Sequence, residues 1–132
     1  NVSFVSPARI PNAITVGAYD STNNKYASWS NYGKGTDILA PGVNIDSTYM
    51  GGGYAVLSGT SMATPVVVGS IVCLLTTNPS LKTLTAITNA LINDARILSP
   101  KNYDNTTGSN PNIVLTYRQY GTTNRSVYVG KY

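Results

Sequence analysis

Between Ser61 and Thr76 the chain is apolar on nearly every side, and this segment restricts the available folds more than any other. A stretch that long and that apolar needs other elements packed around it. Its β-branched valines lean towards strand, while its length favours helix, and periodicity alone does not separate the two. Pro65 is tolerable in a helix only near the start, where few amide donors have partners. Asn78-Pro79 ends the element. The way in reads Gly59-Thr60-Ser61-Met62-Ala63-Thr64-Pro65, which places a serine at the mouth of a buried helix.

The flanking segments are shorter. Ala13-Ile14-Thr15-Val16-Gly17-Ala18 reads as a buried strand and Asp20 to Lys25 as a turn. Thr36-Asp37-Ile38-Leu39-Ala40 reads as a second strand, stopped by Pro41-Gly42. Ile45–Tyr49 and Tyr54–Leu57 flank Gly51-Gly52-Gly53 and suit a β-hairpin. Leu84, Ile87, Leu91 and Ala95 share one helical face, which predicts an amphipathic helix from about Thr83 to Ala95. A polar loop over 99–112, a short strand at Ile113-Leu115 and a Tyr-rich tail complete the chain.

At 132 residues this is one domain or part of one. Apolar residues make up 42%, too many for disorder. Net charge is +4, but the nine Lys and Arg never adjoin one another, which argues against a nucleic-acid reader. The single cysteine, Cys73, excludes an intrachain disulfide, and its apolar surroundings read as those of a small buried hydrophobe. No signal-peptide pattern is present, and the longest apolar run, Val66 to Leu75, is too short to span a bilayer. The chain starts at Asn1 and reads as a portion of a longer polypeptide. Sequons at Asn1, Asn105 and Asn124 lean weakly towards a secretory history.

A helix start presents free backbone N–H groups and the positive end of the helix dipole. A serine there can attack a carbonyl carbon with Oγ, while its own N–H donates to the oxyanion that forms. Gly59 admits a substrate backbone closely, and Ala63 keeps the near face uncrowded. The alternative is that Thr60 or Ser61 simply caps the helix. A serine hydroxyl near neutral pH needs a base, most often His, and the chain has 0 His.

Leu57-Ser58-Gly59-Thr60-Ser61-Met62-Ala63-Thr64-Pro65, followed by Val67 and Gly69, resembles the active-site serine signature of subtilisin-like serine proteases (peptidase S8). The likeness looks closest to the fungal proteinase K-like branch. Ser6-Pro7-Ala8, Thr15-Val16-Gly17-Ala18, Trp29-Ser30-Asn31-Tyr32-Gly33, Asp37-Ile38-Leu39-Ala40-Pro41-Gly42 and Ile45-Asp46-Ser47-Thr48 follow in the family's order. The resemblance covers about residues 4–117; the tail 118–132 has no counterpart.

The resemblance implies an α/β fold: the C-terminal part of a three-layer domain with a mostly parallel sheet and a buried central helix carrying the serine. It makes Ser61 the nucleophile. The base His, its orienting Asp and the oxyanion Asn would lie in an N-terminal half, supplied in cis or in trans, and the substrate would be a polypeptide. Such a portion alone would be inactive and would leave an open strand edge and an apolar helix face. The resemblance also implies a Ca²⁺ site from the carbonyls of Pro11 and Ala13 and the side chain of Asp37; Asp37 equally suits a turn cap. It implies secretion, or residence in the vacuole or secretory pathway. Where the family has Pro-His-Val-Ala-Gly, this chain reads Pro65-Val66-Val67-Val68-Gly69, so Val68 is expected to overpack a helix position. The competing reading is a truncated or degenerate homologue, a pseudoprotease or binding module.

Overall fold

The computed structural model of the protein describes residues 1–97 and 125–126. The loop expected at 99–112, the strand expected at 113–115, the sequons at Asn105 and Asn124 and the rest of the tail lie outside the described residues.

Strand β1 (Val16–Asp20) begins later than the sequence suggests. The reason is Thr15: its N–H donates to Asp37 Oδ2 at 2.7 Å and its hydroxyl to the Ala8 carbonyl at 2.8 Å. A turn in which Asp20 Oδ1 accepts from the Thr22 N–H at 2.9 Å leads to β2 (Lys25–Tyr26). Asn24 takes the left-handed conformation there (φ 59), which asparagine tolerates. Strand β3 (Ile38–Pro41) lies parallel to β1, with Val16 opposite Ile38 and Tyr19 opposite Pro41.

The hairpin forms as its pattern predicts. Strands β4 (Ile45–Tyr49) and β5 (Gly53–Leu57) pair antiparallel as a separate two-stranded sheet. Gly51 (φ 81) and Gly52 (φ 83) make the reversal, a conformation that side chains resist. The apolar segment is helix α1 (Thr60–Thr77), so length prevailed over valine content. Helix α2 (Leu84–Asp94) starts where Thr83 accepts the Ala86 N–H at 3.2 Å, an N-cap bond. Short strands β6 (Arg96–Ile97) and β7 (Arg125–Ser126) complete the main sheet, ordered β2-β1-β3-β7-β6. Its two central pairings are parallel and its two outer ones antiparallel.

Helix α1 packs on β1 and β3. Its inner stripe is Ala63, Val67, Ser70 and Leu74, all buried. Burying Val67 and Leu74 contributes about 1.5–3 kcal/mol each. The Ser70 hydroxyl is satisfied by the Val66 carbonyl at 2.9 Å. Ile38 and Ala40 belong to the core cluster with α1, and Leu39 to a second cluster with Tyr19, as strand alternation requires. Ser126, 1% exposed, donates to the Tyr19 hydroxyl at 3.1 Å.

The other side of α1 faces outward. Val68 is 53% exposed and Val72 60%, so the expected apolar helix face is present. Two sequence expectations need correction here. Cys73 is exposed, not buried, because it lies away from the inner stripe. Val68 also lies off that stripe and overpacks nothing. With 18 residues and mean hydropathy 1.6, α1 is long and apolar enough by length and composition to cross a membrane. It is longer than the Val66–Leu75 run read from the sequence, and its inner stripe is committed to the sheet.

Leu39 is 0% exposed, so Leu39→Ala is expected to destabilise the chain by about 2–5 kcal/mol. Val72→Ala should stay within about 0.5 kcal/mol, as surface changes do. Urea unfolding of both variants checks the inner and outer assignments. Tyr26 gives a pH test. Burial raises its phenol above the ordinary value, against the opposing hydrogen bond from Ser30. The fold therefore prefers neutral Tyr26. Its contribution is full below about pH 10, the ordinary tyrosine value, and is lost as pH rises through the raised one. Tyr26→Phe should flatten the alkaline fall of the unfolding midpoint.

Candidate active site

Three contacts aim the start of α1. The Gly59 N–H donates to the Gly42 carbonyl at 2.8 Å, and the Gly42 N–H to the Tyr19 carbonyl at 3.0 Å. The Asn44 N–H donates to Ser58 Oγ at 2.9 Å. Gly42 is the pivot. A Cβ there would stand 2.6 Å from Ala18 Cβ, 2.9 Å from the Gly59 carbonyl oxygen and 3.3 Å from Ala63 Cβ. No side chain fits without moving β1 or the helix. The helix mouth is thereby fixed against the edge of β1.

The helix is entered at Gly59, with no side-chain cap bond, so neither Thr60 nor Ser61 caps it. The N–H groups of Met62 and Ala63 go to the Gly59 carbonyl at 3.1 and 3.3 Å. Among the described residues, the N–H groups of Thr60 and Ser61 and the Ser61 hydroxyl meet no acceptor or donor. Ser61 is exposed. Pro65 has no N–H, so the Ser61 carbonyl also lacks the helical donor four residues on. The N–H and the hydroxyl of this serine are thus both open among the described residues.

Ser61 lies where two clefts meet. One, of about 440 Å³, runs between α1 and the inner side of the hairpin, with Ile45, Tyr49, Leu57, Met62 and Val66 in its walls. The other, of about 280 Å³, runs towards Pro7, Ala8 and Ile14, with Thr60 and Thr64 on the helix side. An extended chain crossing Ser61 would have one half in each. Sequence reasoning did not assign the hairpin to the site. Ser47, Thr48 and Tyr49 line the larger cleft and are all exposed, so no alternation of burial along β4 announces this role. Val66, where the resemblance expects His, makes part of the apolar wall beside Ser61.

No group of three or more His, Cys, Asp or Glu gathers among the described residues. The 132-residue sequence has 0 His, so no imidazole within it reaches Ser61.

Pro11, Ala13 and Asp37 do come together, around a third cavity of about 190 Å³ that Thr88 and Asn89 of α2 also line. One oxygen of Asp37 accepts the Thr15 N–H at 2.7 Å. The carbonyls of Pro11 and Ala13 accept no main-chain hydrogen bond among the described residues. Two uncommitted carbonyls and one carboxylate are all oxygen donors, so the residues present fit a hard cation such as Ca²⁺.

The Subtilase family model (peptidase S8) matches residues 1–126, further along the chain than the motifs alone reach. Subtilisin Savinase and Subtilisin BL, both of Lederbergia lenta, are 52% identical over 100 residues, which is 76% of this chain and 36% of each relative. Subtilisin-like protease 8 of Arthroderma otae, a fungal relative, is 52% identical over 77 residues, 57% of this chain and 15% of the relative. Among solved structures, that of a cold adapted subtilisin-like serine proteinase superposes with a TM-score of 0.73 at 36% identity. The superposition covers 94% of this chain and 39% of that one. With its fold, its serine-bearing helix and a family match over nearly its whole length, the chain belongs to the subtilase family of serine proteases, spanning a minor part of the relatives it matches.

Proposed function

We propose that this chain supplies the nucleophile of a serine endopeptidase and works when a second segment, in cis or in trans, provides the base and the rest of the site. The observation that carries this reading is Ser61 itself: an exposed hydroxyl and an unengaged N–H on one residue, where two clefts meet. A polypeptide substrate laid across both clefts would present its carbonyl carbon to Oγ. The supplied base takes the hydroxyl proton as the Oγ–C bond forms, and the Ser61 N–H donates to the oxyanion. The C–N bond then breaks, and the proton passes to the leaving amine. Water adds to the acyl-enzyme, the Oγ–C bond breaks, and Ser61 recovers its proton. Without the base, only weak residual catalysis would remain. As part of the same reading, the order of motifs and the fungal relative support kinship with the proteinase K-like branch. Secretion, or residence in the secretory pathway, follows from the family.

A second reading has one observation in its favour. The chain contains 0 His, which suits a non-catalytic homologue. A fluorophosphonate probe applied to native source material separates the two. The protease reading expects one adduct, on Ser61, abolished in Ser61→Ala. A folded protein that takes up no probe would leave the non-catalytic homologue standing.

Pro11, Ala13 and Asp37 would hold a Ca²⁺ ion that ties the loop before β1 to the loop before β3. Its role is structural. Bound Ca²⁺ at a hundred times its dissociation constant should stabilise the protein by about 2.7 kcal/mol. Chelation should therefore lower the melting temperature. Asp37→Asn, which keeps an acceptor for Thr15 but removes the charge, should abolish the difference between calcium and chelator.

A further inference from the structure

The cavity that gathers Pro11, Ala13 and Asp37 has a further wall, built by helix α2 from Thr85, Thr88 and Asn89. Positions 85, 88 and 89 lie within about one turn of each other, so they share a flank of the helix. The start of a helix favours an anion. Here the one charged group among the lining residues is the Asp37 carboxylate, so the cavity favours a cation instead.

Two side chains on the α2 wall are uncommitted. In α1 the hydroxyls of Thr64 and Thr76 donate back to the carbonyls four residues earlier, both at 2.9 Å. Among the described residues the Thr88 hydroxyl makes no such bond, and the Asn89 carboxamide has no partner. Ca²⁺ takes about 6–8 oxygen ligands. The loop side offers two carbonyls and Asp37, one of whose oxygens already accepts the Thr15 N–H at 2.7 Å. Neutral oxygens from α2 would therefore find a place in the shell. The helix also needs a hold. Leu91 is its one buried residue, with Ile87 and Ala90 partly buried against the same core cluster. A helix of 11 residues is marginal by itself. Resting on the reading of Pro11, Ala13 and Asp37 as a Ca²⁺ site, we propose that α2 completes it. Asn89 ligates the ion through Oδ1, and the ion clamps α2 to the loops before β1 and β3.

The test is Ca²⁺ binding by equilibrium dialysis, on chelator-stripped native protein and its variants. Asn89→Ala should weaken binding about tenfold. Asn89→Asp, which keeps the oxygen and adds a charge, should tighten it. In excess EDTA, Asn89→Ala should melt no lower than the unaltered protein, because the side chain is exposed and bonded to nothing. Amide hydrogen exchange over 84–94 should slow at least about tenfold when Ca²⁺ is added, and Asn89→Ala should lose most of that slowing. Undiminished binding by Asn89→Ala, with Asp37→Asn binding nothing, would overturn the part given to α2 and leave the loop site intact. Unaltered protein that holds no Ca²⁺ would overturn the site itself and this proposal with it. Binding weakened by Asn89→Asp as much as by Ala, or a lower EDTA melting midpoint in Asn89→Ala, would make Asn89 a structural residue and overturn its role as ligand.

Discussion

The close approach at Gly42 is the constraint on which the site depends. The Ala18, Ala63 and Gly59 atoms around it leave no room for even a methyl group. Because of this, the loop after β3 lies flat between the sheet and the start of α1. It can then accept the Gly59 N–H with one carbonyl and donate to Tyr19 through the neighbouring amide. Main-chain bonds on both sides of one small residue fix the helix mouth in direction and depth. Ser61, two residues into α1, inherits that geometry without any side-chain cap.

Much of this was legible because several signals agreed. Strand β3 ends before Gly42, one residue beyond the expected stop at Pro41, the glycines at 51–53 turned the hairpin, and Thr83 opened α2. Each uses a local preference that the surroundings do not contest. Ser61 was found because its setting, and not the residue, is specific: a bare Gly-Thr-Ser is as suited to capping. The exposure of Cys73 was not legible. A helix that is apolar all round gives no periodicity from which to tell its inside from its outside, and the sheet alone decides that. The hairpin's part in the cleft was hidden for a related reason. Strand β4 is exposed along most of its length, so its sequence carries no burial pattern to read. The contact of Asp37 with Thr15 links residues 22 apart, and no local pattern announces it.

The two sides of α1 have different surroundings. Ala63, Val67 and Leu74 belong to a core that β1, β3 and Leu91 of α2 complete. Among the described residues, Val68 and Val72 on the other side are exposed. The inner surface of the helix thereby holds Ser61 in place through its contacts with the sheet.

The bond from Ser126 to Tyr19 spans 107 positions of sequence. It joins the last strand of the main sheet to the first, through β3, which pairs with both. During synthesis, β1 and β3 emerge close together and can pair over a short connection. The place beside β3 stays vacant until residue 126 has left the ribosome. Closing so long a loop is slow, and the entropy is lost before the contact forms. The β3–β7 pairing therefore forms well after that of β1 with β3. Until then, the far edge of β3 is open to any extended segment that reaches it first.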